Sequence, residues 1–572
     1  MQLMRSSLTA VVALALAACK GDSPGPGGDP GDIILNSVGE SRTIAAQNAG
    51  TMHVRGGSAG GEFVLIPFYG SQSAASTISL ELTGTQIGGV TGPPTPSLGP
   101  SSTPLLSRAS ARSDALAGAA RFDLELRRLE QGELRGKLAA LRAARGGRLS
   151  PLNAVSGSAA VPAIGDQLSL NAARTPACDL PGSFRNGTVV AVTERAIVVA
   201  DNANPSGGFT TDEYLAIAQE FDTQVYPLDT QNFGVPSDID QNGGRAIIFY
   251  TRAVNELTPP NSESVVGGFF HPRDLFPKIG PQQGTADDCP SSNVGEIFYM
   301  LVPDPNGEVN NNVRTKASVR RGTVGVLAHE FQHLINGSRR IYVNDAEDFE
   351  VVWLNEGLSH IAEELMFYRI SGLAPKQNIT LQTLRSSQTI LDAVNAYQTS
   401  NLGRLIEYLD DPEQNSPYAA NDELATRGAT WSLLRYAADR STTAQQTIWT
   451  NLVNSKTIGT ANFTAVFGGN FVDWVRDWAV TTYTDDAVLT TAAFRHPSWN
   501  FRDIVPALLD PPAFPLKTRT LTAGSQLALS LKGGGAAYLR FSVGSNAVGD
   551  ISATSSGAVL PSTVSVTVVR TK

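Results

Sequence analysis

Two of the six histidines in the 572-residue chain fall in Ala328-His329-Glu330-Phe331-Gln332-His333-Leu334. The stretch lies in a helical pattern whose apolar stripe is Val324, Leu327, Phe331 and Leu334. Four residues apart, His329 and His333 share one helix face, and two imidazoles one turn apart can hold two corners of a zinc tetrahedron. Glu330, beside the first histidine, can reach a water on the metal, which is the arrangement of metal-assisted hydrolysis. A purely structural zinc site has no need of such a base.

Catalytic zinc takes a third protein ligand and keeps a fourth position open. Asn336-Gly337 predicts the end of the first helix, and an acidic loop with Asp345, Glu347, Asp348 and Glu350 follows. The apolar pattern resumes at Val351-Val352-Trp353-Leu354, and Glu356 is predicted to open a second helix reaching about Phe367. The 22 residues between His333 and Glu356 suffice to turn the chain and lay the second helix antiparallel across the first, so Glu356 is the expected third ligand. His360, one turn further, is a further metal contact, a support for a ligand, or a donor to the oxyanion, a role for which Tyr418 and Arg427 are also candidates. A metzincin pattern would require Gly at 336 and His at 339, where this chain has Asn336 and Arg339.

HEFQHLIN followed by WLNEGLSHIAEEL resembles the gluzincin metallopeptidases, and among them the hyicolysin family of secreted bacterial neutral proteases. The likeness centres on 323–370 and extends more weakly from about 245 to 486, in IIFYTRAVN, VVGGFFHPRDLFP and RGATWSLLRYAADR; both terminal β-regions lie outside it. The resemblance implies zinc on His329, His333 and Glu356, Glu330 as catalytic acid/base, and protein or peptide substrates. Glu330 would accept a proton as the water attacks the peptide carbonyl and deliver it to the leaving amine. The G-x-M-E-N loop of the related aminopeptidases is absent, which favours an endopeptidase. At His360 thermolysin-like gluzincins carry an Asp that supports a zinc histidine, so the sequence departs from the pattern there. The competing reading is a surface-anchored protein- or glycan-binding lipoprotein with a catalytically idle zinc scaffold. A zinc hydrolase acting on another amide or ester is a third.

Arg5 precedes an apolar run, Leu8 to Ala18, too short for the roughly 20 residues of a membrane-spanning helix and therefore read as a signal peptide. Its end, Leu16-Ala17-Ala18-Cys19, resembles the bacterial lipobox, which implies cleavage before Cys19, a lipid on Cys19 and attachment to a membrane. By resemblance to Gram-negative sorting, Lys20 implies the outer membrane or cell surface. Cys178 and Cys289 remain, an even pair in an exported setting, and are expected to form a disulfide. With 44 Lys plus Arg against 53 Asp plus Glu, the net charge of -9 gives no general attraction to nucleic acid.

Around this chemistry the expected fold class is α+β: a gluzincin-like core with a β-rich first lobe and a helical second lobe, flanked by small β-sandwich-like domains. The expected divisions are 1–18 signal peptide, 19–32 lipidated cysteine and tether, 33–90 β-domain, 91–150 linker and helical segment, 151–317 β-rich lobe, 318–514 helical zinc-binding lobe, and 515–572 β-domain. The basic helical segment is assigned no chemistry. The Gly-rich lead-in to Tyr538-Leu539-Arg540-Phe541 echoes the one before Glu62-Phe63-Val64-Leu65, as in a duplicated sandwich. Asp238, Asp240 and Asn242, alternating before Gly243, resemble the start of a calcium loop, although Phe249 stands where an EF-hand has Glu.

Overall fold

The computed structural model describes residues 31–90, 92, 122, 124–147, 149, 161–175, 177–262, 265–279, 284, 288–488 and 490–572. The expected signal peptide, Cys19 and tether up to residue 30, and the start of the 91–150 segment up to residue 121 apart from Gly92, lie outside the described residues. Among the described residues no helix is long and apolar enough to cross a membrane.

The chain is a mixed structure of sheets and helices. Its centre is a six-stranded sheet in the order Gly268–Phe270, Ile297–Met300, Ala246–Tyr250, Ala196–Asp201, Phe184–Val192, Gln167–Asn171. The three inner strands that run parallel read AIVVAD, AIIFY and IFYM, runs without polar alternation, as befits strands covered on both faces. One cover is the helical stretch 211–233, started by a reciprocal cap between Thr210 and Glu213. Beside it on the same face lies the long helix Lys316–Ser338, capped by Thr315. Phe331 on this helix packs among Phe221, Tyr226 and Phe298, with ring centroids 5.2, 5.5 and 5.9 Å away, which fixes the helix against the sheet.

The long helix does not end at Asn336-Gly337 as expected. It runs to Ser338 and continues as a wider turn, Arg339–Val343. Gly337 serves close packing instead, since a Cβ there would stand 3.1 Å from a methyl of Leu275. The second helix spans Val352–Ser371, so Glu356 sits in its second turn rather than opening it, and Gly372 ends it in the left-handed conformation. Helices Thr399–Asp410 and Leu424–Arg440 complete the lobe around the site. The expected bridge between Cys178 and Cys289 is present, joining residues 111 apart.

The two terminal β-regions are not separate domains. They interleave in one sandwich of two five-stranded sheets: Thr77–Thr85 lies between Gln526–Lys532 and Val548–Thr554, and Gly61–Tyr69 between Leu539–Val543 and Val564–Arg570. Each segment alone would leave bare sheet edges, and each supplies the missing neighbours of the other. The two stretches whose sequences echo one another are adjacent strands, with Phe63 stacked on Phe541 at 5.5 Å.

The basic segment is helical, as expected. Residues 124–145 form a helix docked on the body, with Leu126, Leu134, Leu138 and Leu141 buried. Arg127 and Glu130 are buried with them and reach the candidate site.

Candidate metal centre

The long helix and the helix Val352–Ser371 cross so that His329, His333 and Glu356 converge. Nε2 of His329 is 3.2 Å from Nε2 of His333, and the Glu356 carboxylate is 3.6 Å from the first and 3.5 Å from the second. Oε2 makes the first contact and Oε1 the second, and both are close to the roughly 3.3–3.4 Å that separates the ligand atoms of zinc bonded tetrahedrally at 2.0–2.1 Å. Glu356 is 1% exposed.

Both rings are aimed by their other nitrogen. His329 Nδ1 donates to Glu363 Oε1 at 2.8 Å, and His333 Nδ1 donates to Asn355 Oδ1 at 3.1 Å. Asn355 Oδ1 is itself fixed by the amide of Asn336 at 3.0 Å. Each imidazole therefore presents Nε2 to the triangle, the tautomer a metal requires.

The charges match. Burial alone would push the His329 pKa down, but hydrogen bonds to Glu356 and Glu363 and the charge of Glu330 outweigh it and raise it to about 10. Burial drives His333 well below its ordinary value. Burial would raise Glu356, yet Arg427 and the histidines hold it well below the carboxylate range. Without metal, then, a proton shared into the triangle supplies the positive charge that a cation would bring.

Glu330 lies beside the triangle, its Oε2 accepting the N–H of Phe270 at 2.9 Å. That hydrogen bond ties the carboxylate to the edge strand of the central sheet. Arg427 stands 3.1 Å from Glu356 Oε2, held by a two-point contact with Asp422. From the other side Arg127 approaches Glu356 Oε1 at 3.5 Å while pairing with Glu130 at 2.6 Å.

Two expected residues fall elsewhere. His360 is fully buried and its Nδ1 lies 3.3 Å from Glu363 Oε1, the atom that receives His329 Nδ1. It therefore stands behind His329, away from the Nε2 triangle, and burial together with Arg404 lowers its pKa to about 3. This place beside Glu363 and His329 corresponds to the expected alternative of a support for a ligand. Tyr418 donates to the Ser71 carbonyl and packs on Phe471, joining the lobe to the sandwich. Of the candidate donors, Arg427 reaches the Glu356 carboxylate and His360 lies against the His329 ring, 4.9 Å between centroids.

Asp238, Asp240 and Asn242 lie in the loop before strand Ala246–Tyr250, where Asn242 closes the turn. Its amide donates to Asp240 Oδ2 and to the Arg245 carbonyl, and its oxygen accepts the Arg245 N–H. Both ends are consumed in closing the turn.

The sequence reading missed Glu363, Asn355 and Arg127. A signal existed for Glu363, which follows Glu356 by seven residues, two helical turns along one face.

No protein-family model matches the chain. It is 34% identical over 168 residues to the neutral metalloprotease ShpI of Staphylococcus hyicus, a stretch covering 29% of this chain and 33% of that protein. The chain thus matches about a third of the length of this curated relative. A distant metalloprotease homologue and a His, His, Glu cluster are both compatible with a metal, and the ligand set is that of zinc.

Proposed function

We propose that the chain is a zinc endopeptidase that hydrolyses peptide bonds in proteins or peptides, with His329, His333 and Glu356 as ligands and Glu330 as general base and acid. The observation that carries this is the convergence of His329, His333 and the Glu356 carboxylate, with contacts of 3.2 to 3.6 Å among them and Glu330 beside them. A zinc ion held there supplies Lewis acidity, acidifying a water and polarising a carbonyl. Glu330, fixed by the Phe270 N–H, takes the water proton on its carboxylate and returns it to the leaving amine. Arg427, anchored by Asp422, adds fixed positive charge where negative charge develops. Glu363 and Asn355 hold the two imidazoles in register.

The likeness to a neutral metalloprotease over part of the chain supports this reading. We also read the protein as exported and anchored to a membrane through lipid on Cys19, which the Cys178–Cys289 bridge supports because disulfides persist in oxidising compartments. The test is casein cleavage by chain lacking residues 1 to 19, run beside Glu330→Gln with the zinc content of both measured. The expected outcome is cleavage by the parent and a loss of at least ~100-fold in the zinc-loaded variant. Equal cleavage by the two would overturn the role of Glu330.

A further inference from the structure

A second cluster of ligand-type side chains lies outside the zinc centre. Asp238 and Asp240 belong to the loop that enters strand Ala246–Tyr250, and Glu296 immediately precedes the neighbouring strand Ile297–Met300. One carboxylate oxygen from each lies within 4.8 Å of the others. Glu296 is only 3% exposed, and its Oε1 accepts the N–H of Ile239, the residue between the two aspartates, at 2.9 Å. That bond inserts the glutamate between them. Its other oxygen, Oε2, is buried with no hydrogen-bond partner, and Asp238 Oδ1 is buried with none either.

Among the described residues none of the three acids forms an ion pair, and the nearby Arg245 spends its guanidinium on the carbonyls of Thr193 and Asn242. A buried carboxylate without a partner is costly, and like charges this close add to the cost. Burial, with the charge of Asp238 added and the Asn242 N–H opposing, pushes Asp240 up to about 6, and burial with both aspartates holds Glu296 well above the usual range.

We propose that Asp238, Asp240 and Glu296 form a second metal site, separate from the zinc centre, that takes a hard divalent cation, calcium by its chemistry. The donors are all carboxylate oxygens with no imidazole or thiolate among them, which suits calcium and not zinc. They come from two different elements in an irregular cluster, which calcium tolerates better than magnesium. Asp240 is already oriented, since Asn242 donates to both of its oxygens. The ion would tie the loop to the central sheet. Ser237 N–H also donates to Ser338 Oγ at 2.8 Å, so the same loop is fastened to the last residue of the helix that carries His329 and His333. The ion therefore acts on stability, not on the chemistry.

The test reads melting and not hydrolysis, so it is independent of the proposed activity. Full chain carrying Glu330→Gln is stripped with EDTA, reloaded with one equivalent of zinc, and titrated with calcium chloride while Tm and bound calcium are followed. The expected result is a saturable rise of at least ~2 °C and about one calcium per chain. Glu296→Gln keeps an acceptor for the Ile239 N–H and removes the buried charge, so its Tm without calcium should equal or exceed the parent's while the response to calcium is lost. Asp240→Asn should lose the response as well. An absent shift with no bound calcium at millimolar concentration, or an undiminished shift in both variants, would overturn the site.

Discussion

Glu363 Oε1 stands 2.8 Å from Nδ1 of His329, across the ring from the Nε2 that faces His333 and Glu356. The carboxylate sets the tautomer and the angle of a proposed metal ligand from the far side of its ring. Glu363→Ala should therefore weaken zinc binding by about 10 to 100-fold, with the fold intact, as measured by competition with a chromogenic chelator. Glu363→Asp, which keeps the charge but shortens its reach, should fall between.

With its pKa raised to about 10, His329 carries a proton in the metal-free protein at pH 7, and zinc must displace it. Zinc uptake at that pH should release about one proton, measured by calorimetry in buffers of different ionisation enthalpy. The sign for stability follows from the same shift. The raised pKa stabilises the metal-free fold below the ordinary value of 6.5, and that contribution disappears as pH rises through about 10. Metal-free protein should therefore lose stability over this interval relative to the zinc form.

Arg127 and a metal compete for the same carboxylate, since Arg127 lies 3.5 Å from Glu356 Oε1. Arg127→Ala alone would leave Glu130 buried and unpaired, and should cost about 3–5 kcal/mol by denaturant unfolding. Replacing both, as Arg127→Met with Glu130→Leu, removes the pair together and should be near neutral in stability while tightening zinc binding. A double variant with unchanged zinc affinity would show that Arg127 does not restrain the site.

Gly428 lets two helices touch. A Cβ there would lie 2.2 Å from the Arg404 carbonyl carbon and 2.3 Å from the Leu405 nitrogen, and backbone cannot step aside. Gly428→Ala should cost about 3 kcal/mol, the upper end for overpacking, and should shift Arg427 and Arg404 on either side of the crossing. Gly322→Ala, in a helix and with nothing within 4 Å of the added carbon, should stabilise by up to about 1 kcal/mol in the same assay.

The residues of the proposed metal site were legible because their chemistry is local. His329 and His333 are one turn apart, and Glu356 follows within one helix-turn-helix unit. Glu363 was harder, because Glu364 beside it is equally acidic and only the fold tells them apart: Glu364 turns away to pair with the buried Arg435. Glu296 was illegible because its partners at 238 and 240 sit on a different strand connection, and Asn242 matched the loop spacing better. Arg127 escaped for the same reason, since it meets Glu356 only through tertiary docking of the 124–145 helix. The two sheets of the sandwich rest on pairings between the two ends of the chain, which no short-range periodicity can reveal.

Those pairings also constrain how the molecule comes into being. Thr43 and Thr567, 524 residues apart, meet hydroxyl to hydroxyl at 2.9 Å on neighbouring strands. The first strands to leave the ribosome must wait, edges bare, until the last ones arrive, so a prematurely terminated chain keeps an aggregation-prone β-segment at its front. Once closed, the clasp works in the opposite direction. A single cut anywhere between sandwich and body leaves both fragments sharing sheets, and the protein should travel as one particle until it is denatured.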